Sequence, residues 1–283
     1  MTDLDPFRAI DRAADPAAIV TALEERGRDA RQRRLRLGFL RAVPVRRGDT
    51  VLDVGCGTGV ILRDLVPMVG AGGRLAGIDP SRTVLAAARR ACRGTGITLR
   101  EGDGAKIPFT DDGFDVTLAV TVLLHVADPG AVVREMARVT RPGGRVAVQD
   151  QDFGTVVVTH PERALTARIL DGVVDRLYEE PFSGRRLPGL LREAGLNAVR
   201  VRTDVFQDTT LEPYTQTFLE RRAANAVRFG LVDAPTAQRW LDGFTPVARA
   251  GAFVFTVNYY GAVGVKPGPP RASVRRRPRR RRR

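Results

Sequence analysis

Asp53, Gly55, Gly57 and Gly59 stand at every second position of the run Thr50-Val51-Leu52-Asp53-Val54-Gly55-Cys56-Gly57-Thr58-Gly59. The β-branched, apolar half reads as a buried strand, and the glycines read as a tight turn that opens a helix. Glycine lets a backbone approach a ligand with no Cβ in between. Asp53 adds a carboxylate at the carboxyl end of the strand, the edge at which open α/β sheets bind ligands. The dinucleotide fingerprint is Gly-x-Gly-x-x-Gly. The spacing here differs, and it suits a nucleoside carrying a positive charge and an amino acid moiety better than a pyrophosphate.

A second acid, Asp79, closes another buried run over residues 74–79, 20 residues past Gly59. An acid in that place accepts hydrogen bonds from ribose hydroxyls. It equally suits capping the helix that Pro80 and Ser81 begin. A third strand over 97–101 leads into Gly102-Asp103-Gly104-Ala105, where Asp103 fits a turn aspartate. A fourth strand over 116–120 ends at Val120 and is followed by His125, then by Asp128-Pro129 and a helix to residue 139. Thr140-Arg141-Pro142-Gly143-Gly144 reads as a turn before a fifth strand over 145–149, which Asp150-Gln151-Asp152-Phe153-Gly154 ends as a loop at the carboxyl edge.

Taken in order, the glycine turn, the two strand-end acids, Ile107-Pro108-Phe109 with Phe114-Asp115, and Arg141-Pro142-Gly143-Gly144 resemble the class I S-adenosylmethionine-dependent methyltransferases. The nearest group is the small-molecule, ubiquinone/menaquinone-biosynthesis type, and the resemblance covers roughly residues 30 to 265. It implies an α/β, Rossmann-like doubly wound seven-stranded sheet with an antiparallel last strand, a helical N-terminal lid over 1–47 and a methyltransferase domain over 48–266. A helical insertion on the acceptor side, about 207–249, precedes the last strand. The implied cofactor is S-adenosyl-L-methionine, held by Asp53, Gly55, Cys56, Gly57, Thr58, Gly59, Asp79, Pro80, Asp103, Gly104, Ala105 and Val120. In this family the acid at Asp103 binds the adenine amino group. The implied reaction is methyl transfer to a small, partly apolar acceptor at oxygen, nitrogen or carbon. A non-methylating cyclase on the same fold would carry the same cofactor motifs. An RNA or protein methyltransferase is a further alternative, although no Asn-Pro-Pro-Tyr type motif follows the fourth strand.

Three residues are candidates for proton chemistry. His125 follows the fourth strand, where the reactive methyl lies in the family, and histidine titrates near neutrality; a histidine at that place often only packs against the cofactor. Asp150 or Asp152 could orient or deprotonate an acceptor hydroxyl, or cap the turn, or pair with an arginine. Arg185 and Arg186 suit an acidic substrate, or a salt bridge to those same aspartates. Helices are expected over 16–43, 161–179, 210–229 and 235–249, and strands over 199–206 and 253–260. Tyr214, Phe218 and Phe229 are the expected walls of the acceptor pocket. The arginines at 26, 28, 31, 33, 34 and 36 read as the solvated face of one long amphipathic helix.

Composition bounds the rest. The 283 residues suffice for one α/β domain with a helical insertion. Two cysteines give no disulfide framework, which suits a reducing cytoplasm. With two histidines and no ligand cluster, no metal is expected. No apolar run is long enough to span a bilayer. The net charge of +14 is concentrated in the last 13 residues, which hold nine arginines and no acid. Residues 267–283 read as a disordered tail able to bind phosphate without sequence preference, and no specific nucleic acid partner is expected.

Overall fold

The computed structural model describes residues 5–268. Seven strands form one sheet: β1 (Thr50–Val54), β2 (Arg74–Asp79), β3 (Thr98–Glu101), β4 (Phe114–Val120), β5 (Thr140–Val158), β6 (Asn197–Asp208) and β7 (Phe255–Val265). Their order across the sheet is β3-β2-β1-β4-β5-β7-β6. The first five pair in parallel, and β7 runs antiparallel between β5 and β6. The doubly wound topology with an antiparallel last strand is the one the motifs implied.

Both faces of the parallel half are covered, so its central strands are apolar on both sides. On one face Val51, Val116, Leu118 and Ala147 pack under α2 (Ala30–Ala42), α3 (Val60–Val69) and α4 (Arg82–Ala91). On the other, Leu52, Val54, Val146 and Val148 pack under α5 (Pro129–Val139) and α7 (Ser183–Glu193). A third apolar cluster joins α6 (Arg163–Leu177), α8 (Pro213–Arg228), α9 (Ala234–Asp242) and α10 (Phe244–Arg249). These helices pack on Phe153, Phe206, Phe255, Val257 and Tyr259, where β5, β6 and β7 outrun the parallel strands. The long strands and their helices therefore stand as a wall beside the carboxyl edge.

Four local expectations are corrected. The turn expected over 140–144 is part of the fifth strand, which starts at Thr140. The fifth strand does not stop at Gln149: it runs on through Asp150, Gln151 and Asp152, all buried, because β7 pairs with it as far as Val158. The helix expected over 16–43 is two helices, α1 (Pro16–Arg28) and α2, broken at Asp29, whose carboxylate accepts from the amides of Arg31 and Gln32. The helix expected over 235–249 breaks at Gly243 into α9 and α10. Nor are the arginines of this region all solvated. Arg36 is buried against Asp64 at 2.6 Å, and Arg26 turns inward. The arginine tail lies outside the described residues from 269 onward. Among the described residues, no helix is long and apolar enough to cross a membrane.

Candidate active site

The glycine turn is built on left-handed backbone, with φ of 70°, 52° and 79° at Gly55, Gly57 and Gly59. A Cβ on Gly55 would meet the Val122 side chain at 2.6 Å, and one on Gly59 would meet the Cys92 sulfur at 2.9 Å. The turn is tied to the neighbouring strand: the Cys56 amide donates to the Ile78 carbonyl at 2.9 Å, and the Gly57 amide donates to Asp79 Oδ2 at 2.9 Å. Asp79 Oδ1 accepts from the Ser81 amide at 2.9 Å. Ser81, rather than Asp79, is the cap of α4. Pro80 joins the two.

Asp53 is almost fully buried, and its Oδ2 has no partner. Burial, with the Asp79 charge beside it, holds its pKa well above the ordinary carboxylate range. Burial likewise raises Asp79, against the pull of its two backbone donors. Among the described residues neither acid has a salt bridge, and the donors to Asp79 are the backbone amides of Gly57 and Ser81. The Thr58 hydroxyl is also buried without a partner, and burial next to the two acids pushes the Cys56 thiol up. Orphaned buried polar atoms are rare in folded proteins, and here two of them cluster at one glycine turn.

Asp103, Gly104 and Ala105 lie on the turn after β3. Asp103 is exposed, and its carboxylate accepts from the Ala105 amide at 2.8 Å, the turn role its sequence allowed. Val120 ends β4, and the next residue, Thr121, takes a left-handed φ of 56°. The Thr121 amide donates to the Gln149 carbonyl at 2.7 Å, which fixes that strained corner over the sheet edge.

His125 ends the short 3-10 turn Leu123–His125. Its Nδ1 lies 2.5 Å from Oδ2 of Asp5, a carboxylate only 2% exposed. Phe7 and Tyr178 flank the imidazole with ring centroids at 4.9 and 5.9 Å. Asp150 lies beneath this turn. One of its oxygens accepts from the Leu124 amide at 3.1 Å and the other has no partner. Burial pushes its pKa up to about 7, against the opposing pull of His125. Asp152 is engaged otherwise: Arg185 grips it with two nitrogens, one at 2.8 Å, and Gly154 donates to it at 3.0 Å. The pairing weighed in the sequence against a free acid therefore holds for Asp152 and not for Asp150. Arg186 pairs with Glu180. Both arginines are paired within the chain, the reading weighed in the sequence beside an acidic substrate.

Tyr214 and Phe218 pack against the third apolar cluster, Tyr214 against Phe206 at 5.3 Å and Phe218 against Phe255 at 5.2 Å. Phe218 also stacks on Phe153, and Phe153 on Tyr178. The Tyr259 hydroxyl gathers Gln151, Gln32 at 3.2 Å and Arg26 at 3.4 Å. Sequence reasoning missed Asp5, Tyr178, Arg222 and Tyr259. Only Arg222 left a signal, since Tyr214, Phe218 and Arg222 follow one another every four residues along α8 and so share a face.

The N-terminal segment closes over these groups. Asp11 accepts from the Ser81 hydroxyl at 2.6 Å and from the amides of Arg82 and Thr83 at 2.8 and 3.1 Å. Those bonds hold its pKa down at about 2, against the opposing effect of its burial. Glu24 bonds Arg63, and Leu23 lies 3.7 Å from where a Cβ on Gly57 would stand.

Residues 52–148 match a family model described as a methyltransferase domain. Demethylmenaquinone methyltransferase of Halalkalibacterium halodurans is 30% identical over 189 residues, spanning 61% of this chain and 77% of that protein. Methyltransferase GfsG of Streptomyces halstedii is 35% identical over 176 residues, spanning 58% of each. Against several other curated relatives the chain spans only about half to two-thirds of their length. Among solved structures, phosphoethanolamine N-methyltransferase 2 of Haemonchus contortus, in complex with phosphomonomethylethanolamine and S-adenosylhomocysteine, superposes with a TM-score of 0.60 at 17% identity. That match covers 92% of this chain and 60% of the other, and it bears on the fold alone.

Proposed function

Because this chain belongs to the class I S-adenosylmethionine-dependent methyltransferases of the ubiquinone/menaquinone-biosynthesis type, we propose that it transfers a methyl group from S-adenosyl-L-methionine to a small, partly apolar acceptor. The observation that carries the reading is the pair of buried acids, Asp53 and Asp79, at a glycine turn, with no salt bridge to either among the described residues. A ligand with a sulfonium and an ammonium supplies the missing positive charge. Asp79 has carboxylate lone pairs left for ribose hydroxyls beyond its two backbone donors. The Gly55–Gly59 amides and the orphaned Thr58 hydroxyl serve the amino acid moiety. Asp103 takes the adenine amino group, exchanging its turn hydrogen bond for the base.

The cofactor, when bound, supplies an activated methyl electrophile. The protein's part is to hold the acceptor in line and exclude water, and such positioning is worth up to about 7–11 kcal/mol of barrier. For a hydroxyl acceptor, His125 takes the proton. The Asp5 carboxylate accepts the Nδ1 hydrogen, which leaves Nε2 with its lone pair. Asp150 lies beneath the same turn with one oxygen free, and its charge, when ionised, favours the imidazolium that forms on His125. Calorimetric binding of S-adenosylhomocysteine, followed by transfer from labelled S-adenosylmethionine, tests the reading. A folded protein that binds neither nucleoside would overturn it.

A further inference from the structure

Two guanidinium groups enter the acceptor side of the site without a carboxylate partner. Arg222, on α8, is 2% exposed, and its Nη1 is buried with no hydrogen-bond partner. Its other terminal nitrogen donates to the Tyr178 hydroxyl at 3.1 Å. The rings of Phe153, Phe218 and Tyr178 lie 4.7, 4.6 and 5.2 Å from its central carbon. Arg26, on α1, has no salt bridge among the described residues: it donates to Thr121 Oγ1 at 3.2 Å and to the Tyr259 hydroxyl at 3.4 Å, and the Asp150 charge acts on it from farther off. Other buried arginines among the described residues have an acid: Arg36 has Asp64 and Arg145 has Asp49.

A buried cation is costly unless it is paired. Cation–π attraction to aromatic faces offsets only part of the cost of desolvating an ion. Rings crowd the Arg222 guanidinium carbon, and Nη1 is left as a donor without an acceptor, the kind of N–H that binds an oxyanion. The surrounding rings make the setting apolar. Thr121, which Arg26 touches, lies directly past the end of β4, and Tyr178 links Arg222 to His125.

We propose that the acceptor is a carboxylic acid with an apolar body, whose carboxylate is bound by the orphaned Nη1 of Arg222 with Arg26 as the second cation. The assignment rests on the methyl-transfer reading and specifies its acceptor. Arg222 and Arg26 hold the anion and take no part in the proton transfer assigned to His125.

The test uses matched probes on the full chain saturated with S-adenosylhomocysteine: benzoate against benzamide, and cinnamate against cinnamamide, by calorimetry. The acid of at least one pair binds about tenfold or more tighter than its amide. Arg222→Gln abolishes that preference while S-adenosylhomocysteine affinity stays within about twofold, and Arg222→Lys restores part of it. Equal or undetectable binding of acids and amides by the wild type overturns the proposal, and so does an unchanged preference in folded Arg222→Gln. The wild-type comparison decides even if the variants do not fold. Failure of the wild type to bind S-adenosylhomocysteine is a separate result: it sinks the methyl-transfer reading, while the acid–amide difference still reports on the anion site.

Discussion

The amide of Gly57 and the carboxylate of Asp79 are 2.9 Å apart, so the glycine turn and the end of the second strand form one rigid unit. Asp79 thus fastens the turn, beside the ligand role proposed for it. Asp79→Ala should lower S-adenosylhomocysteine affinity by at least tenfold in calorimetry, because it removes the ribose acceptor and loosens the turn together. Asp79→Asn keeps one acceptor oxygen and should lose less. Wild-type affinity in Asp79→Ala would show that the acid binds no part of the nucleoside.

His125 and Asp5 should behave as base and orienter. His125→Asn should lower kcat for a hydroxyl acceptor by about 10²–10⁴-fold, the usual share of general base catalysis. Asp5→Asn should cost less, and KM for the cofactor should stay unchanged in both. Equal kcat in His125→Asn and wild type would leave the histidine a packing residue only.

Asp150 gives stability a definite slope with pH. Its folded pKa, about 7, lies above the ordinary value of 3.8, so between these the folded state holds a proton that the unfolded state has released. Stability from this group is therefore full below about pH 4 and is lost as pH rises through about 7. The shift corresponds to at most about 4 kcal/mol. Asp150→Asn keeps an acceptor for the Leu124 amide and cannot ionise. Urea unfolding of the two proteins at pH 5 and pH 8 should show the variant gaining on the wild type at the higher pH. A constant difference across that range would contradict the assignment.

Arg185 is a structural partner in this fold. Arg185→Ala leaves Asp152, fully buried, with only the Gly154 amide. Arg185 itself is half exposed, so water enters and limits the loss to about 2 kcal/mol. The urea midpoint should fall at constant slope. A change in acceptor KM with no change in midpoint would return Arg185 to a substrate role.

What the sequence revealed and what it hid divide along chain distance. Gly55, Gly57, Gly59, Asp53 and Asp79 were legible because a strand, a turn and a helix start impose their residue types locally. The sheet order followed from the same motifs. The run Asp150-Gln151-Asp152 read as a loop because three polar residues in a row contradict a buried strand. They are buried because Leu124, Tyr259 and Arg185 satisfy them, and those partners stand 26, 108 and 33 residues away. Asp5 and His125 are 120 residues apart, and neither one's surroundings announce the other. The break at Asp29 was within reach, since an aspartate after Gly27 and Arg28 is a sound start for a new helix.

Asp11, bonded to Ser81, Arg82 and Thr83, and Asp5, bonded to His125, bracket the start of the segment whose helix α1 leans on the glycine turn. These bonds have to part for the segment to leave the glycine turn, and a nucleoside that needs this opening would make entry and exit gated events of the polypeptide. The observed association rate should then level off as nucleoside concentration rises in stopped-flow mixing, and Asp11→Ala should lift that plateau. Such a gate makes the departure of the spent nucleoside, rather than the transfer itself, the natural pacemaker of turnover.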